Sequence, residues 1–412
     1  MLWKRWKTTG LSEHKNAYKN YALKCKRSFI DFERKKELNL IKDNNVNKFY
    51  SYVNKKLGSN KQCYPIKDQN NVVITDNKCK ADAFNNFFGS VFTTDNNIMP
   101  AVAPRTDDST SISTVDFSVN AVRKTLRKLK PSTSCGPDGI PNLVLKKLSF
   151  QLSCPLSYIF DASFKSHCLP MHWLQAFVTP VFKKGSRSDP SNYRPISLTS
   201  TCCRVMERII NATLMDYLVS HKLISPHQHG FLRKHSTCSN LLETVNDWTL
   251  AFDNHLRTDA IYIDFQKAFD SVSHSKLIAK LESYNIKGDL LCWIKAFLTH
   301  RSQQVRIGNS LSDFLSITSG VPQGSVLGPT LFLLYINDIT DSLGLLNCSV
   351  KLYADDAKLY SSFYVGAHST DLAKALDIVS EWAYMWQLKI ATSKCVAHRI
   401  SARSQLSSND CP

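Results

Sequence analysis

No stretch of this chain is apolar for long enough to cross a bilayer. The longest uninterrupted run, 331–336, falls far short of the roughly 20 residues a spanning helix needs. The amino end, Met1-Leu2-Trp3-Lys4-Arg5, lacks the apolar core of a signal peptide. The thirteen cysteines contain no Cys-x-x-Cys pair, and only Cys202 and Cys203 adjoin. That excludes a standard zinc ribbon and reads as free thiols of a reducing compartment. His227, His229, His235 and Cys238 form a loose group whose spacing fits no standard zinc site, and it reads as a loop. Acidic side chains are scarce: 34 stand against 52 basic ones, a net charge of +18. Such an excess favours a polyanionic partner, nucleic acid or an anionic membrane surface. The expectation is an intracellular protein, nuclear or cytoplasmic, neither secreted nor membrane-spanning.

What is present is ordinary globular material. The 412 residues are 43% hydrophobic and 21% charged, enough for two or three domain-sized units. Residues 1–60 carry 15 Lys/Arg against 5 Asp/Glu, so more than half of the net charge sits there. Tyr18, Tyr21, Ala22, Cys25, Phe29 and Phe32 recur at helical steps, predicting an amphipathic helix that packs by its apolar stripe and offers a basic face to phosphates. A second helix is expected over 48–57, stopped by Gly58, and a loop over 60–71. Thr75 is placed to cap a helix through Ala81, Phe84 and Phe88. Residues 95–113, rich in Asp, Thr, Ser and Pro, read as a linker. Ser118 opens a helix that Pro131 ends, and 142–160 reads as helical with Pro155 interrupting it.

Two segments carry the chemistry. Residues 260–263 form an apolar run that ends in Asp264, a strand delivering a carboxylate at its edge. Leu352-Tyr353-Ala354-Asp355-Asp356-Ala357 sits between strand-like runs at 349–353 and 357–360, and 354–356 reads as a hairpin turn. Two crowded carboxylates repel, and a cation between them relieves the repulsion. The bland alternative is a polar hairpin tip. Residues 177–182 and 192–198 read as paired strands bringing Lys183, Lys184 and Arg194 together, which suits a triphosphate or, more blandly, a solvated basic hairpin. Arg233 and Lys234 lie in a basic loop before a helix over 239–253 and suit template phosphates. Gly320, Gly324 and Gly328 allow close backbone approach to a ligand before an apolar helix over 330–339.

The order of these parts resembles the reverse transcriptase of non-LTR, LINE-like retrotransposons. The matching stretches are Cys135-Gly136-Pro137-Asp138-Gly139-Ile140-Pro141, Asn192-Tyr193-Arg194-Pro195-Ile196-Ser197-Leu198, Asp264-Phe265-Gln266-Lys267-Ala268-Phe269-Asp270, Gly320-Val321-Pro322-Gln323-Gly324-Ser325-Val326-Leu327-Gly328-Pro329 and Tyr353-Ala354-Asp355-Asp356. Five motifs in register are far more specific than one, and they cover about 118–394.

The resemblance implies an α+β right-hand polymerase. It would have a basic helical N-terminal extension (1–100), a linker (101–117), fingers (118–258), a palm of antiparallel sheet backed by helices (259–395) and a polar tail in place of a full thumb (396–412). It implies RNA-directed DNA polymerisation by two-metal phosphoryl transfer, with an RNA template, a DNA primer and dNTPs as partners. No membrane is implied, and the oligomeric state stays open. Asp264, Asp355 and Asp356 would be catalytic ligands of two Mg²⁺ ions, with Mn²⁺ as a substitute. Lys183, Lys184, Arg194, Gln323, Gly324 and Lys394 would hold the nucleotide, and Phe269 would exclude a 2′-hydroxyl. Arg233, Lys234, Gly320, Pro322 and Tyr353 would contact template or primer.

Some features depart from the family. Ala391 stands where a polar residue is expected, and no endonuclease, Cys/His knuckle or RNase H segment is recognised. The rival expectation is a fragment that binds nucleic acid without turnover.

Overall fold

The computed structural model describes residues 2–43, 49, 52–53, 56, 64–67, 71–107, 109–344, 346–364 and 370–401. They fall into two units, Met1–Gln62 and Cys63–Pro412. In the first, the helical steps give α2 (Ser12–Lys42), preceded by α1 (Leu2–Thr9). Trp6 stacks on Tyr18 with ring centroids 5.8 Å apart. Lys56 pairs with Glu37 at 2.7 Å and Glu33 at 3.3 Å. No side chain of either helix is buried, and Tyr21, Phe29 and Phe32 are at least 60% exposed. The helix expected at 48–57 and the loop at 60–71 lie largely outside the described residues.

The second unit begins with a two-stranded ribbon, β1 (Ile66–Lys67) and β2 (Val73–Ile74). Helix α3 (Asn77–Gly89) follows. Asp76, not Thr75, caps it by accepting the Cys79 N–H at 2.9 Å. Its Ala81, Phe84 and Phe88 close a small core with Val178, Tyr193 and Val305. These residues thus belong to the main body rather than to an extension reaching 100. The expected linker is likewise packed. Arg105 N–H donates to the Ser283 carbonyl and Ile112 N–H to that of Asn285, at 2.8 and 3.1 Å. Ile112 and Phe117 are buried. Two apolar anchors and satisfied backbone groups suffice to dock a polar segment.

Ser118 accepts from the Ala121 N–H and opens α4 (Val119–Arg127). A short helical turn, Asn142–Lys147, precedes α5 (Ser149–Ser166), and the break falls at Leu148. Pro155 stays inside α5, forfeiting one helical hydrogen bond while Leu156 and Phe160 bury beside it. The chain continues through β3 (Gln175–Phe182), β4 (Tyr193–Thr199), α6 (Thr201–Ser220), α7 (Thr237–Asp253), β5 (Leu256–Ile263), α8 (His274–Ser283) and α9 (Gly288–Leu298). Then come β6 (Ser302–Ile307), β7 (Ser310–Leu311), β8 (Leu315–Ser316), α10 (Gly328–Ile336), β9 (Ser349–Tyr353), β10 (Asp356–Tyr364) and α11 (Thr370–Met385). Val396–Ile400, expected as part of a polar tail, is β11, paired along the free edge of β5.

One sheet runs β11–β5–β10–β9, antiparallel throughout. Side chains of β10 alternate faces. Ala357 and Leu359 enter the main core with Val379 and Trp382 of α11. Lys358 and Tyr360 face α7 instead, where Lys358 Nζ donates to Thr244 Oγ1 at 2.6 Å. Tyr360 hydrogen-bonds Asp247. The second sheet runs β4–β3–β6–β7, with β3 and β6 parallel and β8 on β6. Trp293, Phe297, Phe332 and Tyr335 are fully buried between the helices, each stabilising the fold by about 1.5–3 kcal/mol. Among the described residues, no helix is long and apolar enough to cross a membrane.

Candidate active site

β10 lies between β5 and β9, with Ala357 opposite both Ile263 and Leu352. One step further along this ladder sets Asp356 beside Asp264, so residues 92 positions apart come to one end of the sheet. Ala354 turns the hairpin with φ of +57°, a left-handed value rare outside glycine. Burial, then the charges of Asp356 and Asp264, push Asp355 above the usual carboxylate range, with Lys183 opposing. Asp356, the more exposed of the pair, is raised by burial and by Asp264, while Lys183 and Lys394 pull it back. Crowded carboxylates with raised pKa values are what a hard cation relieves.

Lys394 reaches the same place by a route the sequence half-shows. Residues 388–390 give a single bridge, Ile390 opposite Phe265. The Ala391 N–H donates to the Asp264 carbonyl at 2.8 Å, so the main chain makes the contact where a polar side chain was expected. Lys394 Nζ then lies 2.8 Å from Asp264 Oδ1. Among the described residues, no group of three His, Cys, Asp or Glu side chains stands ready to hold a metal ion. Here the ammonium occupies one of the carboxylate oxygens a cation would need. The histidine group does not form a cage either. His229 Nδ1 is 3.0 Å from Ser239 Oγ, and its ring meets His235 edge-on.

Strand parity separates the two candidate lysines. Val181 lies opposite Arg194, and Lys183 shares their face, while Phe182 and Tyr193 point into the small core. Lys183 therefore acts on Asp355 and Asp356, and the neighbouring Lys184 is an exposed side chain of the opposite parity. Lys267 completes the ring of cations. Burial lowers its pKa, Asp270 opposes that, and the charges of Lys183, Lys394 and Arg194 lower it further. Sequence reading missed Lys267, although it stands inside the Asp264–Asp270 motif.

Gln323 is held by a partner also missed. Its Nε2 donates to Asp270 Oδ1 and Oδ2 at 2.9 and 3.0 Å. Burial pushes Asp270 up to about 6, against the pull of Gln323 and Lys267. The glycines around Gln323 approach protein backbone rather than open space. A Cβ on Gly320 would collide with Asp270, and one on Gly324 with the Ser197 carbonyl. Both have positive φ, +88° and +118°. Phe269 stacks on Phe332 at 4.3 Å and meets Phe231 edge-on at 6.1 Å. Tyr353 is half-buried opposite Asp356, and Pro322 lines a narrow cleft with Phe88, Pro195 and Asp270. Arg233 and Lys234 stand exposed on the loop before α7.

Residues 181–405 match the family described as reverse transcriptase (RNA-dependent DNA polymerase). The chain is 31% identical over 285 residues to a probable RNA-directed DNA polymerase from transposon BS of Drosophila melanogaster, covering 68% of this chain and 31% of that protein. It is 30% identical, with the same coverage, to the RNA-directed DNA polymerase from mobile element jockey of that organism. Against the Pol polyprotein from retrotransposable element R2 of Popillia japonica the identity is 27%, over 52% of this chain and 29% of the other. The chain thus spans about a third of the length of the curated relatives it matches.

Proposed function

The chain belongs to the reverse transcriptase (RNA-dependent DNA polymerase) family, and from that premise we propose that it extends a DNA primer with dNTPs on an RNA template, as part of a longer retrotransposon protein. One observation carries the reading. The end of β5 and the β9–β10 turn bring Asp264 and the Asp355–Asp356 pair close enough to act on one another's charge, with Lys183 and Lys394 acting on the same carboxylates and Lys267 and Arg194 beside those lysines. In this reading the sheet of β5, β9, β10 and β11 is the palm, and the elements from α4 to α7 with β3 and β4 are fingers.

Asp264, Asp355 and Asp356 would hold divalent cations, Mg²⁺ foremost and Mn²⁺ as a substitute. Their oxygen donors, and the raised pKa values of Asp355 and Asp356, fit such an ion. When bound, the metal lowers the pKa of an attacking hydroxyl and takes up charge on a leaving phosphate oxygen. The protein does the positioning. Lys183 and Arg194, on one strand face, are set to grip a triphosphate, and Lys394 to leave Asp264 for a phosphate. Phe269, braced on Phe332, forms a rigid wall that a 2′-hydroxyl would strike. Gln323, fixed through its nitrogen by Asp270, keeps its carbonyl oxygen for the nucleotide. Arg233 and Lys234, both exposed, would meet template phosphates, and Pro322 and Tyr353 the template and primer strands, while Gly320 lies packed against Asp270 and serves the loop instead.

The test is primer extension on an RNA template with Mg²⁺ and dNTPs. The wild type should add nucleotides, and Asp355→Ala should add none while still binding nucleic acid in a salt-sensitive way. The Lys394–Asp264 pair favours a second reading, a binding fragment without turnover. A wild type that binds template and primer but never extends would establish it.

A further inference from the structure

We propose that Gln228 is a positioning residue for the acidic turn. It holds Ala354 in its left-handed conformation and thereby sets the Asp355 carboxylate. The inference rests on the polymerase reading of the site. Gln228 is 2% exposed, beneath the hairpin. Its Oε1 accepts two backbone N–H groups, from Ala354 at 2.9 Å and Gly230 at 2.7 Å. One side-chain oxygen therefore ties the loop before α7 to the residue that precedes Asp355.

Three further contacts hold the clamp in register. The Leu352 N–H donates to the His227 carbonyl and the His229 N–H to the Leu352 carbonyl, both at 2.9 Å. Residues 227–229 thus run parallel along the outer edge of β9, with Gln228 opposite Leu352. Asn240 Nδ2, from α7, donates to the same Leu352 carbonyl at 3.2 Å. At Gly230 the two backbones are so close that any Cβ would collide with the Ala354 nitrogen.

The need for a clamp follows from Ala354 itself. An alanine at φ of +57° is strained, because its Cβ crowds the backbone. Without a fixed partner for its N–H, the turn has other conformations open to it. The carboxylate one residue on would then lose its direction toward Asp264. Strain of this kind persists where the surroundings over-determine it.

Hydrogen exchange on the full chain, followed in peptides spanning 352–357, tests the clamp directly. Gln228→Met keeps the volume and removes the accepting oxygen, while Gln228→Glu keeps an oxygen there. The turn amides should exchange at least ~10-fold faster in Gln228→Met and stay protected in Gln228→Glu, with α9 peptides unchanged in both. Primer extension with Mg²⁺ should show kcat of Gln228→Met down about 10- to 100-fold, with the template–primer KM within about twofold. A turn as protected as the wild type's, or a wild-type kcat in Gln228→Met despite faster exchange, overturns the proposal. Should Gln228→Met also lose protection in α9, Gly230→Ala replaces it, since it forces the same contact apart and should give the same two results. A wild type that does not extend primers removes the polymerase reading instead, and exchange alone then decides the clamp.

Discussion

Lys183 and Lys184 are the same side chain one position apart, and the β3–β4 register sends them to different places. Lys183 shares the Arg194 face and acts on both turn carboxylates; Lys184 does not share that face. Lys183→Ala should therefore raise the dNTP KM by roughly 10-fold or more, the equivalent of one charge-assisted contact of ~1.5–3 kcal/mol. Lys184→Ala should leave it nearly unchanged, and steady-state extension kinetics on the two variants would check both. Lys394→Ala removes an exposed pair of about 1 kcal/mol or less, so thermal stability should barely move. The same variant should still slow extension, if the lysine serves the triphosphate. The three aspartates were legible because a strand-ending carboxylate and a paired-carboxylate turn each have a short local signature. Lys267 and Gln228 were not, since their importance depends on which segments become neighbours. The sequence spacing of Gln228 and Ala354, 126 positions, gives no hint of a 2.9 Å contact.

At the scale of elements, strands and apolar helices were readable because their periods are local, and the helix predicted from Ser118 starts where its cap stands. The misreadings have one cause. Segment 95–113 looks polar, and 396–400 was read together with the polar residues that follow it, yet both dock because a neighbour offers unpaired backbone, the α8–α9 connection in one case and the β5 edge in the other. Helix α8 shows how elements are tied across the core. Lys280 Nζ, 2% exposed, donates to Asp338 Oδ1 at 2.6 Å and to the Tyr335 carbonyl, and lies 3.6 Å from the Trp386 ring centre. Burial lowers its pKa to about 8, with Asp338 opposing. Unfolded, the same lysine titrates near 10.4. Between these values the unfolded chain binds more protons, so the Lys280 contribution to stability grows as pH rises. The wild type should gain on the order of 3 kcal/mol over Lys280→Met between about pH 8 and pH 10.5. Denaturant unfolding of both proteins at several pH values measures that difference. A gap that stays constant with pH would show that the ammonium carries no desolvation cost in the fold.

For the whole molecule, the charge is unevenly divided. Residues 1–62 hold 16 Lys/Arg and 5 Asp/Glu, a net +11 of the total +18. The carboxylates, the cations that surround them and the Gln228 contact all belong to 63–412. Affinity for nucleic acid should thus be set largely by one unit and turnover by the other. Each phosphate neutralised steepens the fall of log K with log salt by roughly 0.9 for duplex DNA. Removing 1–62 should flatten that slope by about one for every contact the basic helices supply. It should leave kcat at saturating template–primer close to the wild-type value, because no member of the acidic site is lost. Binding measured between low and moderate salt, beside extension at saturation, separates the two effects. An unchanged slope would mean that the α2 charges face solvent rather than phosphate, and the basic grip would then have to come from exposed side chains such as Lys184, Arg233 and Lys234.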